Sequence, residues 1–411
     1  MKTNQTILAS CYAVNPYKGS EDAMGWNFIC QIARFRKVIA VTRENNRKNI
    51  EKYIAEHPNG IYRNITFLYF DLPYWMRFWK KGSRGALLYY YLWQKGIVSF
   101  IKKQKLEFDI THNVNFHNDW TPSFLWKLHK PMVWGPVGHH PLIPSQYLNM
   151  YSKTYFIKDR LTWIVKNFFW KFSSSLKNTI RHSGHIWCMN TSVPEKLKLT
   201  GNSYSLYPSV ATEDFKQDKE IKLKTGFTVI SVGRFVPLKG FDLTIRSFIE
   251  FLSQLPEKDK AECKLILVGA GEQKALYESL IERSGMNDFI EIKEWIERKE
   301  LMKLYDSASV FLFPSHEGAG MVVPEALCFG LPVICLQNEG PGEFINNSCG
   351  ITVPKQNYKK TLEELSLALM RLYLDKPLRK KLSLGARKQY VEKFSWEKRG
   401  EHLDEIYNKM I

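Results

Sequence analysis

Phe311–Ile334 reads FLFPSHEGAGMVVPEALCFGLPVI, and this stretch decides the fold of its half of the chain. The run Val310–Phe313 is apolar and has the length of a buried strand, whereas Glu325–Phe329 has helical character. Pro324 lacks the N–H that a first helical turn cannot use, so the helix is expected to begin close to Val323. A second apolar run closes the stretch. The order of strand, glycine-rich loop, helix and strand is typical of a parallel α/β sheet.

The loop 318–322 is expected to bind an anion. Its backbone N–H groups precede the predicted helix, and the positive end of a helix dipole attracts negative charge. Glu317 and Glu325 bracket this loop, and carboxylates accept hydrogen bonds from hydroxyls. The arrangement therefore suits a nucleotide sugar, which carries hydroxyls on both sides of its phosphates. Taken singly, Glu325 could only complement the helix dipole and Glu317 could be a solvated loop residue.

A second strand-to-helix loop carries two cations. Phe227–Val232 predicts a buried strand and Leu243–Leu255 an amphipathic helix, with Gly233, Arg234 and Lys239 between them. Arginine can bind two oxygens with its planar fork, and lysine acts as a point charge, so the pair suits a diphosphate. Taken alone, such a pair is also common on solvated surface loops.

The three motifs of this half resemble the C-terminal half of glycosyltransferase family 4. They are Gly233-Arg234-x4-Lys239-Gly240, then Leu265-Ile-Leu-Val-Gly269-Ala-Gly271, then Glu317-x7-Glu325. The resemblance implies an α/β protein of the GT-B fold, with two Rossmann-like, doubly wound parallel-sheet domains facing across a cleft. It also implies a nucleotide-diphosphate sugar donor, retention of anomeric configuration and no metal.

The same resemblance assigns roles to residues. Arg234 and Lys239 would bind the diphosphate, Glu317 the hydroxyls of the donor sugar, and Glu325 the ribose. The loop and backbone positions of the implied sugar-donor site are Gly233, Ile296, Gly318, Ala319, Gly320, Met321 and Val322. Near Ile296, Glu294 replaces a glycine often found in relatives, which leaves the base open. UDP is favoured, and GDP is the alternative.

The N-terminal half is expected to hold the acceptor. Gly19-Ser20 resembles the family's first-strand glycine loop near the donor phosphates, although a Gly-Gly pair is common there and Ser20 could be only a helix cap. Related enzymes often have a histidine after the fourth strand, beside the acceptor and the donor sugar. Both His112 and His117 are candidates for this catalytic role. His117 is favoured, because His112 lies closer to the strand and could be a satisfied core histidine.

Two adjacent histidines, His139 and His140, follow the next predicted strand. Neighbours along a strand point to opposite faces, so one metal rarely takes both, and no metal site is predicted. No Asp-x-Asp and no Gly-x4-Gly-Lys-Ser/Thr occur in the chain. Positive charge for a diphosphate must then come from side chains and the helix end. Gly269-Ala-Gly271 lacks the third glycine of a dinucleotide fingerprint, so NAD is not expected.

The 411 residues suit two domains with ample cores. Strand-like runs alternate with helical stretches twice over, which predicts two parallel sheets covered by helices. The predicted strands are Ile7-Leu8, Val38–Val41, Ile65–Tyr69, Ile110-Thr111, Met132–Trp134, His185–Met189, Phe227–Val232, Leu265–Val268, Phe289–Ile292, Val310–Phe313, Pro332–Leu336 and Gly350–Val353. The predicted divisions are an N-terminal domain at 1–208, a linker at 209–223, a C-terminal domain at 224–390, and a helix at 391–411 that crosses back to the first domain.

Composition and charge suggest location and partners. Seven scattered cysteines without a Cys-x2-Cys pair favour the reducing cytoplasm, and the segment before the first strand is too short for a signal-peptide core. The formal net charge is +18, and two N-terminal stretches, 74–103 and 158–177, mix lysine and arginine with aromatics. That mixture suits an anionic membrane surface. No nucleic-acid motif occurs, and some of these aromatics could simply cover the sheet.

The sequence thus predicts a metal-independent, retaining hexosyltransferase without cofactor. We expect it to act on a polyprenyl-linked saccharide in surface polysaccharide or exopolysaccharide biosynthesis, peripherally bound to the inner face of the cell membrane. The leaving phosphate oxygen would deprotonate the acceptor, and Glu317 would orient hydroxyls rather than attack. The alternatives are a GT-B sugar-nucleotide epimerase and a basic nucleic-acid-binding protein.

Overall fold

The protein is described here by a computed structural model that covers residues 5–82, 85–116, 118–216, 224 and 226–410. The packing divides the chain into two compact units. The first unit comprises Met1–His139, Leu161–Ser209 and Trp396–Ile411, and the second comprises His140–Arg160 and Val210–Ser395. Each unit is a parallel α/β sheet, as the alternation of apolar runs and helical stretches predicts.

The first unit contains a parallel sheet in the order β3-β2-β1-β4-β5-β6-β7. The register pairs Ile7 with both Val38 and Ile110, so the first strand lies between the second and the fourth. The order reverses there, and ligands of such sheets bind beyond the carboxyl ends of the strands at this reversal. The strands are β1 Thr6–Cys11, β2 Lys37–Thr42, β3 Ile65–Tyr69, β4 Ile110–Asn115, β5 Met132–Val137, β6 His185–Cys188 and β7 Tyr204–Leu206.

Helices connect and cover these strands. They are α1 Ser20–Ala33, α2 Arg47–Glu56, α3 Ala86–Lys103, α4 Lys153–Phe172, α5 Ser174–His182 and α6 Ser192–Leu197. In α4, the residues up to Arg160 are grouped with the second unit. None of the helices in the described part of the chain is both long enough and apolar enough to cross a bilayer.

The second unit contains a parallel sheet in the order β10-β9-β8-β11-β12-β13. Val310 pairs with Val229, and Phe311 pairs with Val333, so β11 lies between β8 and β12. The order reverses between β8 and β11, the two strands that lead into the predicted site loops. The strands are β8 Phe227–Val232, β9 Cys263–Val268, β10 Ile290–Lys293, β11 Val310–Phe313, β12 Val333–Gln337 and β13 Gly350–Pro354.

The helices of this unit are α7 Phe241–Ser253, α8 Glu257–Lys260, α9 Lys274–Ser284, α10 Arg298–Ser307, α11 Val322–Cys328, α12 Pro341–Phe344, α13 Tyr358–Leu374 and α14 Lys376–Lys393. A last helix, α15 Trp396–Asn408, follows α14 in the chain and belongs to the first unit. There its Trp396 contacts the Phe28 ring of α1 edge-on, with ring centroids 5.6 Å apart.

Both faces of the second sheet are buried, which explains why its strands are continuous apolar runs in the sequence. Val229 and Leu312 pack in one apolar cluster, whereas their neighbours Ile230 and Phe311 pack in another. Adjacent residues of a strand point to opposite faces, so each strand contributes to two cores.

The segment 140–160 packs into the second unit although it precedes two strands of the first. Tyr147 and Tyr151 lie in the apolar cluster that contains Val229. The Tyr151 hydroxyl donates a hydrogen bond to Asp242 Oδ1 at 2.6 Å, and the Tyr147 hydroxyl donates one to the Gln356 carbonyl at 2.8 Å.

The parallel-sheet α/β architecture in two units confirms the predicted fold class. All twelve predicted strands coincide with observed ones, and β7 is an additional short strand. The predicted domain boundaries stay a prediction. The packing groups 140–160 differently from the predicted N-terminal domain, and residues 217–223 of the predicted linker lie outside the described part of the chain.

Candidate active site

The loop between β11 and α11 carries the predicted anion site. Strand β11 ends at Phe313 and α11 begins at Val322, one residue before the predicted start. Gly320 has φ +117°, a conformation that favours glycine, and the Val323 N–H donates to its carbonyl at 3.0 Å. Glu325 then lies in the first helical turn, as predicted.

A second loop, after β12, supports the first. The buried Asn338 amide donates to the Ser315 carbonyl at 2.6 Å, and its Oδ1 accepts from the Gly342 N–H at 2.9 Å. A Cβ added at Gly340 would lie 2.3 Å from the Glu317 carbonyl oxygen, so only glycine fits between the loops. Asn338 and Gly340 were not predicted as site residues. The turn sequence Asn-Glu-Gly-Pro-Gly directly after a strand could have indicated a second site loop.

Lys239 and Glu317 form an ion pair. Lys239 Nζ lies 2.7 Å from each carboxylate oxygen of Glu317, and both side chains are largely buried, 14% and 11% exposed. The resemblance assigned these residues to different parts of a ligand, the diphosphate and the sugar. The structure brings the two side chains into contact, and the roles assigned to them stay a prediction.

The loop after β8 delivers Lys239 to this place. Gly240 has φ +67°, and a Cβ there would lie 2.2 Å from the Pro314 carbonyl oxygen, so the two site loops touch at this glycine. A Cβ added at Gly233 would lie 3.5 Å from the Cδ of Lys239, so the lysine side chain passes close to this glycine. Arg234 is exposed, and no ion pair or side-chain hydrogen bond is found for it within the described ranges.

Glu325 is held by two partners. Its Oε1 lies 2.9 Å from a guanidinium nitrogen of Arg298, and its Oε2 accepts a hydrogen bond from the Tyr305 hydroxyl at 3.3 Å. Burial raises the pKa of the Glu325 carboxyl, and the Arg298 charge opposes that rise. The Arg298 guanidinium also lies over the Phe215 ring, 4.9 Å from its centroid. Arg298 and Tyr305 were missed by the sequence analysis, because neither lies in a motif.

Two histidines border the same loop. His140 Nδ1 accepts a hydrogen bond from the Gly318 N–H at 3.0 Å, so this ring is a partner of the loop backbone. His316 is buried against the Tyr147 ring, with centroids 4.9 Å apart. Burial lowers the pKa of His316 to about 3, so it is neutral at physiological pH. Ile296, the predicted base-side residue, is half-buried, whereas its neighbour Trp295 is 79% exposed.

The first-unit candidates have different surroundings. Gly19, not Ser20, is the N-cap of α1, and no side-chain capping hydrogen bond is found there. The helix-cap explanation of Ser20 is therefore not supported. Ser20 itself has φ +57°, which non-glycine residues seldom adopt. Its role, like that of Gly19, at a sugar-donor site stays a prediction.

His112 is a buried residue of β4 with both ring nitrogens engaged. Its Nδ1 lies 2.6 Å from the Tyr407 hydroxyl, and its Nε2 lies 2.6 Å from the Gly135 carbonyl oxygen. These are the surroundings of a satisfied core histidine. His117, the favoured candidate, lies outside the described residues. His139 pairs with Asp119 at 2.7 Å, so the two adjacent histidines have different partners.

The second unit therefore collects most of the predicted sugar-donor residues beyond β8 and β11. The Lys239–Glu317 pair lies at the start of the glycine-rich loop, and Glu325 lies in the first turn of the helix that follows the loop. Such a set can neutralise phosphate charge and accept hydrogen bonds from sugar and ribose hydroxyls. No group of three or more histidine, cysteine or acidic side chains placed to hold a metal ion is found in the ranges that the structure describes.

The known proteins that this chain resembles include glycosyltransferases. Residues 212–389 match the family model described as glycosyl transferases group 1. The chain is 29% identical over 199 residues to a GDP-mannose-dependent monoacylated alpha-(1-6)-phosphatidylinositol monomannoside mannosyltransferase of Corynebacterium glutamicum, covering 44% of this chain and 49% of the relative. It is 28% identical over 192 residues to the capsular polysaccharide biosynthesis glycosyltransferase CapM of Staphylococcus aureus, covering 46% and 48%. The alignments thus span about half the length of these relatives.

Similarity to a solved structure extends over the whole chain. Anabaena Alr3699/HepE in complex with UDP and glucose superposes with a TM-score of 0.63 at 14% identity, covering 98% of this chain and 100% of that one. At this identity the likeness concerns the fold alone. The alternatives of an epimerase and of a nucleic-acid-binding protein find no support in these similarities. The chain has the GT-B fold, and the matches support its placement in the GT-B glycosyltransferase superfamily.

Proposed function

We propose that the protein is a retaining, metal-independent glycosyltransferase of family 4 that moves a hexosyl group from a nucleotide-diphosphate sugar to a lipid-linked saccharide. The observation that carries the proposal is the buried Lys239–Glu317 pair beside the glycine-rich loop that leads to Glu325. These groups belong to a single unit, and each suits a different part of the same ligand.

In this proposal the charges determine how the ligand lies. Arg234 and Lys239 bind the diphosphate and stabilise the negative charge that develops as the anomeric carbon–oxygen bond breaks. Glu317 accepts hydrogen bonds from the sugar hydroxyls, and Glu325 accepts them from the ribose. The backbone amides of 320–322 contact the sugar and its phosphate, since the Gly318 N–H is already donated to His140.

Retention follows if the leaving phosphate oxygen takes the proton of the acceptor hydroxyl on the face that the leaving group vacates. The new glycosidic bond then forms on that same face, and no carboxylate attacks the anomeric carbon. Glu317 is a poor nucleophile in this proposal because the Lys239 ammonium, 2.7 Å from both oxygens, neutralises its charge, while lone pairs remain to accept from the sugar hydroxyls. His117 is proposed to lie beside the acceptor. A covalent glycosyl adduct on Glu317 would contradict this mechanism.

The nature of the substrates is supported by the relatives. One named relative is GDP-mannose-dependent and acts on a phosphatidylinositol mannoside, another serves capsular polysaccharide biosynthesis, and the superposed structure holds UDP and glucose. We propose UDP or GDP as the nucleotide and a polyprenyl-linked saccharide as the acceptor, in surface polysaccharide assembly. The basic charge of +18 favours action at the anionic inner face of the cell membrane.

Calorimetric titration with UDP, GDP and ADP in EDTA tests the sugar-donor site. We expect micromolar binding of UDP or GDP that is lost in Arg234→Ala and in Glu325→Ala. The matched controls are Arg371→Ala and Glu364→Ala on the exposed side of α13, which should bind as the unmodified protein does. If none of the three nucleotides binds, with the protein folded, the proposed function is wrong.

A further inference from the structure

Helix α4 presents an apolar stripe outward. Leu161, Ile164, Phe168 and Phe172 follow one another at spacings of three or four residues, which places them on one side of a helix. They are 56%, 63%, 58% and 66% exposed. A surface helix normally turns its polar side to water, so this orientation is the reverse of the usual one.

The orientation of α4 is fixed by aromatics on its other side. Trp163 and Trp170 contact the His139 ring, with centroids 6.0 and 5.4 Å away, and the Trp170 indole donates to the Asp119 carbonyl at 3.2 Å. Lys196 Nζ lies 4.0 Å from the centroid of the Trp170 ring. The two tryptophans of this segment therefore anchor the helix to its unit, and the exposed stripe consists of other residues.

Two other segments of the first unit add exposed apolar side chains. The Tyr91 ring of α3 contacts the Phe169 ring of α4, with centroids 6.0 Å apart, and Leu88, one turn earlier on α3, is 56% exposed. The buried Tyr89 ring contacts Trp79, which follows the segment 74–78. In that segment Trp75 is 71% exposed and Phe78 59%. We call the exposed apolar residues of α4, Leu88, Trp75 and Phe78 the docking face.

Basic side chains accompany the docking face. Lys171 adjoins Phe172, Arg77 lies between Trp75 and Phe78, and Lys95 follows Leu88 at a spacing of seven residues. All three are exposed, and the described residues provide no ion-pair partner for them. Apolar side chains bordered by uncompensated positive charge are complementary to an anionic lipid surface, in which the rings enter the interface and the cations meet the headgroups.

We propose that the first unit docks on an anionic lipid surface through the docking face, by insertion of apolar side chains together with charge attraction. Docking there would bring the chain to a membrane that holds a lipid-linked acceptor. This purpose of the docking rests on the proposed function, whereas the docking itself does not. A second copy of the chain is the competing occupant, but uncompensated like charges on both copies would repel each other.

Vesicle flotation of the full chain tests this surface. The probes are vesicles of phosphatidylcholine with phosphatidylglycerol, and vesicles of phosphatidylcholine alone. We expect Ile164→Ser/Phe168→Ser/Phe172→Ser to lower partitioning onto anionic vesicles about tenfold or more. The matched control is Leu374→Ser/Leu384→Ser/Val391→Ser, three residues of the second unit that are 69%, 52% and 51% exposed, and it should partition normally.

Charge reversal gives a second, independent readout. Arg77→Glu/Lys171→Glu should remove the preference for anionic vesicles without altering the melting temperature. If the triple serine variant fails to melt cooperatively, the proposal is tested with Arg77→Glu/Lys171→Glu and with the single variant Phe172→Ser. Equal partitioning of these variants and the unmodified chain would overturn the proposal. It would also be overturned if the chain were dimeric, ignored vesicles, and became monomeric in the serine variant.

Nucleotide titration of the same samples separates the two proposals. Vesicle binding without UDP or GDP binding keeps the docking face and refutes the proposed transferase. Nucleotide binding without any vesicle binding supports the proposed transferase and refutes the docking face.

Discussion

The Lys239 ammonium lies 2.7 Å from both carboxylate oxygens of Glu317, across 78 positions of sequence. One residue comes from the loop after β8 and the other from the loop after β11. The pair links a cation suited to phosphate with a carboxylate suited to sugar hydroxyls. Substitution of one residue at a time can test these two roles separately.

Lys239→Met should weaken binding of UDP or GDP about tenfold to a hundredfold, because a charge-assisted hydrogen bond to phosphate is lost. Glu317→Gln should leave nucleotide affinity unchanged or higher, since Lys239 loses its competing partner, while transfer from the nucleotide sugar falls. Calorimetry and a transfer assay measure the two effects. Lys303→Met, which breaks the exposed Lys303–Glu300 pair, is the control. Equal loss of nucleotide affinity in Lys239→Met and Glu317→Gln would contradict the division of roles.

Arg298→Gln should make nucleotide binding sensitive to pH. Burial raises the pKa of Glu325, and Arg298 is the charge that opposes it, with the neutral Tyr305 hydroxyl as the other partner. Without Arg298 the carboxyl takes up a proton at a higher pH, and a protonated carboxyl accepts fewer hydrogen bonds from ribose. On acidification, the nucleotide affinity of Arg298→Gln should therefore fall at a higher pH than that of the unmodified protein.

Titrations of the preferred nucleotide between pH 5 and 8 measure this shift. Lys299→Gln, an exposed neighbour of Arg298, serves as the control. Superimposable pH curves for Arg298→Gln and the unmodified protein would show that Arg298 does not control the ionisation of Glu325.

Gly340→Ala should displace the loop 317–319. The added methyl group would lie 2.3 Å from the Glu317 carbonyl oxygen and 2.7 Å from the Gly318 carbonyl carbon, and backbone atoms cannot yield as a flexible side chain can. We expect a loss of about 1–3 kcal/mol in the free energy of unfolding, with weaker nucleotide binding. Denaturant unfolding and calorimetry measure the two. Gly60→Ala, where an added Cβ meets no atom within 4 Å, should be neutral.

Acid should destabilise the first unit through His112. Burial lowers its pKa from 6.5 to about 4, so the unfolded chain binds more protons than the folded one between these values. Stability is therefore present above pH 6.5 and is lost as the pH falls toward 4. Between pH 7 and pH 5 this histidine should account for about 2 kcal/mol.

Denaturant unfolding of His112→Gln at pH 7 and pH 5 checks this. The difference in unfolding free energy between the two pH values should be smaller than in the unmodified protein by about that amount. The exposed His57 provides the control, since His57→Gln should keep the full difference. An unchanged difference in His112→Gln would mean that other groups cause the acid sensitivity.

Much of the fold followed from the sequence, because strands buried on both faces are apolar runs bounded by turns. The exception is β7, whose Tyr204 and Leu206 lie at the sheet edge, 42% and 49% exposed, and give no such run. The helix beginning at Val322 was predicted to within one residue, since Pro324 marks a first turn.

The site was predictable only where its residues lie in motifs. Lys239, Glu317 and Glu325 could be named from their loops, but their partners could not. Arg298 reaches Glu325 from α10, and His140 reaches Gly318 from 178 positions away, so both contacts depend on tertiary packing. The grouping of 140–160 with the second unit has the same cause, because Tyr151 finds Asp242 only after the chain has folded.

Helix α15 belongs to the first unit but follows the whole second unit in the chain, and this order affects folding during synthesis. The ribosome releases residues 210–395 before Trp396 and Tyr407 emerge to pack on Phe28 and His112. The second unit can therefore complete its core while that of the first is still open. The interior of the first unit stays partly uncovered while the second unit is translated. Apolar surface exposed during synthesis is open to aggregation and to chaperones.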